Sequence, residues 1–513
     1  MTALTKEMID DLSCEIALHV HLPGVITPDT ALQLGIRNKL IKIENGKIIP
    51  LCKLANIPEN VTYKDYSDIF HWDNDEHGNI INLRYDINDH NFTDFDQVMG
   101  IVQGHKYAYG EGGILRAVGG IQTAEDFRFV LQKHLERCIE GRFAYFELKQ
   151  NLFLAQTIYP YLPVEMAEDA FFDLLKEAQE KFYDAGIGLR WQNCFNKSSN
   201  VKTAEAAEAK CTDAAKSAIR ANKRYPGLIT GIDGAGNEIA EAANPLYQVR
   251  GYLMAGDAGI NRLCHAGEAG HWQMVARTIK YLNPKRIGHG FQAMENFGTM
   301  MLMLERGIPF EVCVSMNNKL GFSARMSDKV AIKMIEETMG KPLKLVDGNK
   351  LVGNSIWDHL LFPMLRMKID GRRFKITLST DNPGLGGVPF KEMLMQLAGL
   401  RPEVTGHPPN DMKPLQAEEF YRCRVDAIEQ IPDLAIRIKC YDDIDRWARK
   451  WNLDVGLPKD VRLDRDGKFA QQVLTSGGID RFNAKNFASA YTENNSYRVD
   501  TSSGLAVPRW DRG

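Results

Sequence analysis

Residues 260–268 read INRLCHAGE and residues 286–290 read RIGHG, so two short apolar runs each end in a histidine. Short apolar runs bounded by glycine are typical of buried β-strands. In a parallel sheet the carboxyl ends of such strands meet at one edge, so we expect His265 and His289 to lie at that edge. The glycines on either side of His289 leave room for another molecule beside its imidazole.

Six further runs have strand character, at residues 15–22, 143–149, 188–195, 228–235, 309–316 and 375–380. Amphipathic helical patterns separate several of them, as in residues 167–185 and 204–222. Alternating strands and helices predict a parallel sheet of the α/β class, and eight strands favour a closed (β/α)8 TIM barrel. Periodicity alone does not distinguish this barrel from an open, doubly wound sheet.

Two stretches are too long for ordinary connections in such a barrel, at about 23–141 after strand 1 and 317–374 after strand 7. Both follow the carboxyl ends of strands, which places them on the face where barrels carry their active sites. We expect the barrel and its insertions over residues 1–400. Residues 401–513 are expected to form a helical C-terminal extension and a polar tail.

The composition is that of a globular protein, with 44% hydrophobic and 25% charged residues. The net charge of −3 gives no basic surplus that would indicate nucleic acid or membrane binding. No apolar stretch approaches the roughly 18 residues that a membrane span requires. The nine cysteines are scattered without a CxxC pair, which indicates reduced thiols and predicts a cytoplasmic protein.

The first strand ends in His19-Val20-His21, whose two imidazoles share one face. Asp381 follows the eighth strand, and Glu268 follows the fifth. Taken singly, a histidine at a strand end is usually a structural polar residue, and an aspartate near a proline usually starts a turn. Together, neutral nitrogens and a carboxylate at the same edge have the composition of a catalytic zinc site that keeps a position open for water.

The motifs in which these residues lie resemble the adenosine deaminase family of zinc-dependent aminohydrolases over roughly residues 10–400. They are HVHLPG at 19–24, GIDGAGNE at 231–238, HAGE at 265–268, RIGHG at 286–290, EVCVSMN at 311–317 and STDNP at 379–383. The resemblance implies a (β/α)8 barrel rather than an open sheet, and it implies deamination of an adenine-type purine with release of ammonia.

The resemblance also implies a role for each matching residue. One Zn²⁺ per chain is expected on His19, His21, His265 and Asp381. Glu268 is expected to protonate the purine ring, and His289 to orient the attacking water and help remove its proton. Substrate contacts are implied for Gly236, Asn382 and His21.

Two residues depart from the family pattern at substrate contacts. Pro23 stands where nucleoside-specific members usually carry an aspartate, and Asn382 stands where the family usually has a second aspartate next to the metal ligand. Either these positions tolerate change, or the substrate differs from plain adenosine at its 5′ position or lacks the sugar. Lysines of the first insertion are candidate partners for a phosphate, or simply solvated surface residues: Lys39, Lys42, Lys47, Lys53 and Lys64.

Three alternatives remain open at this point. The chain could deaminate an adenosine nucleotide such as AMP or ATP, or another amino-heterocycle. It could also be a non-catalytic barrel used for assembly, although that use gives no physical reason for Glu268 beside a metal. The expected partner is a small purine, without nucleic acid or membrane, and the long insertions favour a homo-oligomer.

Overall fold

The computed structural model describes residues 1–38 and 121–455, apart from gaps at 153, 198–202, 320–323, 344, 347–349 and 352–354. Outside these ranges it describes the backbone of three antiparallel hairpins: Ile41–Glu44 with Lys47–Pro50, Phe70–Asn74 with Ile80–Tyr85, and Tyr497–Asp500 with Leu505–Pro508. The side chains of the five insertion lysines lie outside the described part of the chain. The polar tail is described only in its last hairpin.

Eight parallel strands form a single sheet in which each strand pairs with the next one along the chain. They are β1 Glu15–His21, β2 Phe143–Gln150, β3 Gly188–Asn196, β4 Ile229–Ala235, β5 Asn261–Ala266, β6 Arg286–His289, β7 Phe310–Val312 and β8 Ile376–Leu378. The backbone N–H of His21 donates to the carbonyl of Asp381 at 2.9 Å, and that of Asp381 donates to His19 at 3.1 Å. These bonds join the end of β8 to β1, so the prediction of a (β/α)8 barrel is confirmed.

The seventh and eighth strands are shorter than the apolar runs that predicted them. The run 309–316 forms a strand only over Phe310–Val312, and a helix begins at Val314. The prediction was wrong for residues 313–316 because a short buried helix and a buried strand have the same apolar composition. This difference matters for the site, because the helix carries Asn317 back over the barrel mouth.

Helices surround the barrel, and the two helical patterns quoted above are found at Val164–Asp184 and Ala204–Arg224. The other α-helices are Lys6–Asp10, Pro28–Arg37, Ala124–Glu140, Leu154–Ile158, Val249–Asp257, His271–Leu282, Phe297–Arg306, Val314–Lys319, Lys329–Met339, Leu361–Arg366, Pro383–Gly386, Phe390–Leu397, Pro402–Thr405, Ala417–Ile428 and Leu434–Lys450. Among the described residues, every helix is too short or too polar to cross a bilayer.

The helix Ala417–Ile428 packs directly on the barrel beside β1 and β8. Its Arg424 forms a buried ion pair with Glu15 at the start of β1. Its Asp426 pairs with Arg373 at 2.6 Å and accepts from the backbone N–H of Ile376 at 2.9 Å. Residues on both sides of position 400 therefore share one hydrophobic core. The domain boundary placed there stays a prediction.

Candidate metal centre and active site

Four side chains converge at the carboxyl ends of β1, β5 and β8. His21 Nε2 lies 3.1 Å from His265 Nε2 and 3.4 Å from Asp381 Oδ1. His19 Nε2 lies 3.7 Å from the same carboxylate oxygen. Three of the four are nearly inaccessible, and the side chain of His21 keeps 20% of its surface exposed. The structure thus brings together the four residues for which a zinc-binding role was predicted.

Buried carboxylates on the far side of two rings determine which nitrogen faces this centre. His19 Nδ1 lies 2.8 Å from Glu311 Oε2, and His265 Nδ1 lies 3.1 Å from Asp233 Oδ1. A carboxylate accepts the proton of the nearer ring nitrogen, so in both residues Nε2 carries the lone pair. This atom lies 3.7 Å from Asp381 in His19 and 3.1 Å from His21 Nε2 in His265. Burial, reinforced by the charge of Lys149, holds the pKa of His19 well below its usual value, so the ring is neutral.

The donor atoms at the centre are buried without a partner. His19 Nε2 and Asp381 Oδ1 form no hydrogen bond within the described part of the chain. Burial raises the pKa of Asp381 to about 7, and the backbone of this residue adopts a φ of +63°, which is uncommon outside glycine. Unpaired polar atoms are costly to bury, and a divalent cation would satisfy both. Neutral imidazole nitrogens with one carboxylate are ligands that suit Zn²⁺, so the residues fit the predicted metal.

The fourth histidine differs from the other three in its hydrogen bonds. His289 Nε2 also approaches His19 and Asp381 closely enough to contact a shared ion. However, its Nδ1 lies 3.0 Å from the amide nitrogen of Asn317, which donates to it. The ring proton of a neutral His289 is then on Nε2, so this nitrogen faces the centre as a donor. A donor is suited to holding water rather than a metal.

Glu268 lies beside His289, at 3.5 Å between carboxylate and Nε2. Asn317 Nδ2 donates to its other carboxylate oxygen at 3.2 Å, so one amide contacts both groups. Burial raises the pKa of Glu268 well above its usual value, and the charges of Asp381 and Glu238 act in the same direction. The raised pKa favours the protonated form of this carboxyl group, which is the form that a general acid needs. Asn317 ends the motif EVCVSMN at 311–317, for which no residue role was predicted.

A network of buried ion pairs beneath the histidines was not predicted from the sequence. Lys149 donates to Asp233 at 2.6 Å, to Gln192 at 2.7 Å and to Glu311 at 3.2 Å, and its side chain is fully buried. Asp233 and Glu311 are the two carboxylates that orient His265 and His19. Lys149 therefore balances their charge and fixes their positions. Alternating charged residues within FELKQ at 146–150 were a sequence signal, because charges inside a barrel strand point into the barrel.

The predicted substrate contacts lie around the same mouth. Gly236 follows β4 with a φ of +102°. Asn382 is 5% exposed and packs against Gly24, where an added Cβ would come within 2.2 Å of its Oδ1. Pro23 is exposed at the start of the 3-10 helix Pro23–Val25. Neither Pro23 nor Asn382 therefore supplies, at the mouth of the barrel, the carboxylate that family members usually carry at that position.

Further histidines lie outside the site, or outside the described residues. His359 lies between the 3-10 helix Ile356–Asp358 and the helix Leu361–Arg366. Its Nδ1 accepts from the backbone N–H of Leu361 at 3.0 Å, which is a structural use. His71 lies in a described strand, whereas His77 and His90 lie outside the described residues.

Comparison with known proteins connects this geometry to a family. Residues 115–344 match the family model described as Adenosine deaminase. An adenine deaminase from Chlorobium phaeobacteroides is 33% identical over 116 residues, which are 22% of this chain and 34% of that protein. The chain thus covers about a third of the length of the first curated relatives that it matches.

Two solved structures share the fold. The crystal structure of an adenine deaminase from Arthrobacter aurescens has a TM-score of 0.52 at 18% identity, covering 85% of this chain and 99% of that one. An amidohydrolase from Burkholderia ambifaria, solved with bound Zn, has the same TM-score and identity and covers 88% and 96%. The family match, the relatives and the shared barrel agree with the resemblance seen in the motifs: residues 115–344 are similar to the adenosine deaminase family, and the chain shares the barrel fold of these deaminases.

Proposed function

We propose that this protein is a zinc-dependent aminohydrolase that converts an adenine-type purine, either adenosine or a derivative, to its 6-oxo product with release of ammonia. The observation that carries the proposal is the convergence of His19, His21, His265 and Asp381 beside the buried Glu268. These side chains come from the ends of three barrel strands, β1, β5 and β8, or from the loops that follow them. A non-catalytic barrel would have no need for this set.

One Zn²⁺ would be held by His19, His21, His265 and Asp381, where it would lower the pKa of a water molecule and make it a nucleophile at neutral pH. Glu268 donates its proton to the purine ring nitrogen next to the carbon under attack, which cancels the negative charge that develops there. The protonated ring then accepts the oxygen at that carbon. The proton removed from the water passes to the amino group, which leaves as ammonia, and the remaining hydroxyl proton restores the protonated form of Glu268 as the 6-oxo group forms.

His289 holds the attacking water by donating from Nε2. Removal of the water proton by the same nitrogen requires the other tautomer, in which the ring proton has moved from Nε2 to Nδ1 through water and the amide of Asn317 has turned so that its oxygen accepts from Nδ1. Gly236, Asn382 and His21 are the proposed substrate contacts. The purine ring would lie between the metal ligands and the loop that carries Glu268.

The substrate is proposed as a purine that needs no carboxylate partner at Pro23 or Asn382. An amide at residue 382 can still donate a hydrogen bond to the imidazole side of a purine. The proline offers neither a carboxylate nor an N–H to a 5′-hydroxyl. A free base, a 5′-substituted nucleoside or a nucleotide therefore fits these two positions better than plain adenosine does.

The test is ammonia release by zinc-loaded protein from adenine, adenosine, 2′-deoxyadenosine, a 5′-thio-substituted adenosine, AMP and ATP. We expect turnover of one class, loss of turnover after chelation, and recovery with one equivalent of zinc. Preference for AMP or ATP would favour the nucleotide alternative. Absence of turnover across the panel, with zinc bound at one per chain, would contradict purine deamination and favour another amino-heterocycle or the non-catalytic alternative.

The eight cysteines in the described residues are all unpaired, which supports a reducing compartment. We therefore propose that the protein acts in purine metabolism in the cytoplasm. Assembly into a homo-oligomer stays a prediction from the long insertions.

A further inference from the structure

Glu238 is a buried carboxylate outside the catalytic set, and the motif in which it lies, GIDGAGNE, was assigned a role only at Gly236. It is 3% exposed and follows β4. A buried carboxylate needs several hydrogen bonds or a cationic partner, because burial removes its hydration. What surrounds this residue therefore indicates its use.

One oxygen of Glu238 accepts four consecutive backbone N–H groups. The distances from Oε2 are 3.1 Å to Gly267, Glu268 and Ala269, and 2.7 Å to Gly270. These four residues are the loop between β5 and the helix that begins at His271. The loop is thus wrapped around a single carboxylate, and the side chain of Glu268 projects from its middle.

The loop has little freedom to move away from Glu238. Gly267 adopts a φ of +77°, and a Cβ on Gly270 would come within 2.9 Å of the Glu238 side chain. On the other side, Lys197 at the end of β3 donates to the carbonyl of His265 at 2.7 Å and lies 3.7 Å from Glu238 Oε1. Both side chains are 1% exposed, so the positive charge of Lys197 balances the carboxylate inside the protein.

We propose that Glu238 is a positioning residue that places the carboxyl group of Glu268 for proton transfer by holding the backbone of residues 267–270. It touches neither the substrate nor the metal ligands' side chains, and it acts only through the loop. Proton transfer requires heavy atoms within about 3 Å, so a small shift of the loop would reduce turnover strongly. This inference rests on the proposed function for its kinetic part, and its structural part can be measured without turnover.

The main experiment uses Glu238→Gln in the full-length zinc-loaded protein, because glutamine keeps the size and loses the charge. We expect kcat to fall about 10- to 100-fold with KM changed less than about 3-fold. The zinc content should stay at one per chain. Hydrogen exchange of the amides of residues 267–270 should become faster, since their common acceptor is weakened.

A double-mutant cycle tests whether Glu238 acts through Glu268. In a Glu268→Gln background, Glu238→Gln should cost less than about 3-fold further in kcat, because the group that it positions is already lost. A purely structural role would lower kcat by the same factor in both backgrounds. The proposal is therefore overturned if the kcat losses of the two single variants multiply in the double variant.

Asp328→Asn is the matched control. Asp328 also accepts several backbone N–H groups, from Phe297 at 3.0 Å, Val330 at 2.9 Å and Ala331 at 3.3 Å, but it holds a different segment. This variant should leave both kcat and the hydrogen exchange of residues 267–270 at wild-type values.

A second variant, Glu238→Asp, serves if Glu238→Gln folds poorly. Aspartate keeps the charge but retracts the carboxylate. It should therefore lower kcat less than glutamine does and should also make the exchange of residues 267–270 faster.

The outcomes separate this inference from the proposed function. Unchanged exchange at residues 267–270 in the Glu238 variants would overturn the positioning role whatever the activity. Faster exchange together with a substrate panel that shows no turnover would support the holding of the loop and contradict the deaminase. Faster exchange with unchanged kcat would overturn the link between loop position and proton transfer.

Discussion

At the scale of single residues, the site depends on proton positions set by hydrogen bonds. Glu311 and Asp233 direct two imidazole lone pairs inward, whereas the amide of Asn317 directs the proton of His289 inward. The group that contacts Nδ1 of each imidazole therefore decides whether its Nε2 offers a lone pair or a proton. Two predictions concern Glu268 and Asn317, the residues that lie beside His289.

Replacement of Glu268 by glutamine should lower kcat at least ~10²-fold with zinc still bound, because glutamine has no acidic proton to give. The pKa of Glu268 is raised, and its protonated form is the active one. Activity that depends on this group is therefore present at low pH and lost as pH rises through its pKa. Rate–pH profiles with parallel metal analysis would check this. If the rate of Glu268→Gln falls at high pH in the same way as the rate of the wild type, the assigned role is contradicted.

Replacement of Asn317 by alanine removes the amide that contacts both Glu268 and His289. We expect kcat to fall about 10-fold or more, because neither group keeps its orientation. Zinc content should not change, since Asn317 contacts none of the four ligands' side chains in this structure. Ser315→Ala is the control on the same helix, since its hydroxyl lies 3.5 Å from Gln396, away from the site. Equal kcat in the two variants would refute the bridging role.

At the scale of secondary-structure elements, the site is formed where β1 and β8 meet. The 3-10 helix Pro23–Val25 follows β1 and lies against Asn382, next to the proposed ligand Asp381. Gly24 allows this approach, because an added Cβ would come within 2.2 Å of Asn382 Oδ1 and 2.6 Å of its Cα. The second contact is with backbone, so rotation of a side chain cannot relieve it.

Gly24→Ala should therefore displace the segment that carries Asp381. We expect weaker zinc affinity, and a stability loss of about 1–3 kcal/mol from overpacking. Zinc competition with a chromogenic chelator and thermal unfolding would measure both. Gly256→Ala is a suitable control, because it lies in the helix Val249–Asp257 with only ordinary contacts at 3.5 Å, where alanine favours the helix. Wild-type zinc affinity in Gly24→Ala would contradict this prediction.

At the scale of the whole molecule, buried groups couple folding to pH away from the site. Burial lowers the pKa of His359 to about 3, and its ring packs on Phe291 at 4.6 Å. An unfolded histidine titrates near 6.5, so below that pH the unfolded chain binds a proton that the folded chain refuses. The stability contributed by neutral His359 is complete above about pH 6.5 and is lost as the pH falls toward 3.

His359→Asn should remove this dependence, because an asparagine oxygen can accept from the backbone N–H of Leu361 without titrating. Denaturant unfolding at several pH values between 7.5 and 4.5 would give the difference in stability between the two proteins. We expect the wild type to lose up to about 1.4 kcal/mol more per pH unit than the variant. Parallel curves for the two proteins would show that His359 is not the group responsible.

The alternation of strands and helices could be predicted because it depends on local sequence, whereas the closed barrel was implied by the resemblance of the motifs. Strand character comes from short apolar runs, and helices from a repeat of about 3.6 residues. His19 and His21 share a face because alternate residues of a strand do so. The boundary of the seventh strand could not be predicted, since residues 313–316 are apolar whether they continue a strand or begin a helix.

The sequence by itself determined the alternation of strands and helices and the shared face of His19 and His21, because these depend on residue type and on neighbours along the chain. Only the tertiary structure decided that Asp381 lies against His19 and His21, since closure of the sheet brings β8 to β1. The same holds for Asn317 and Glu238, whose contacts with the catalytic groups join strands that are distant in sequence. Such contacts depend on packing across the barrel, and no periodicity along the chain encodes them.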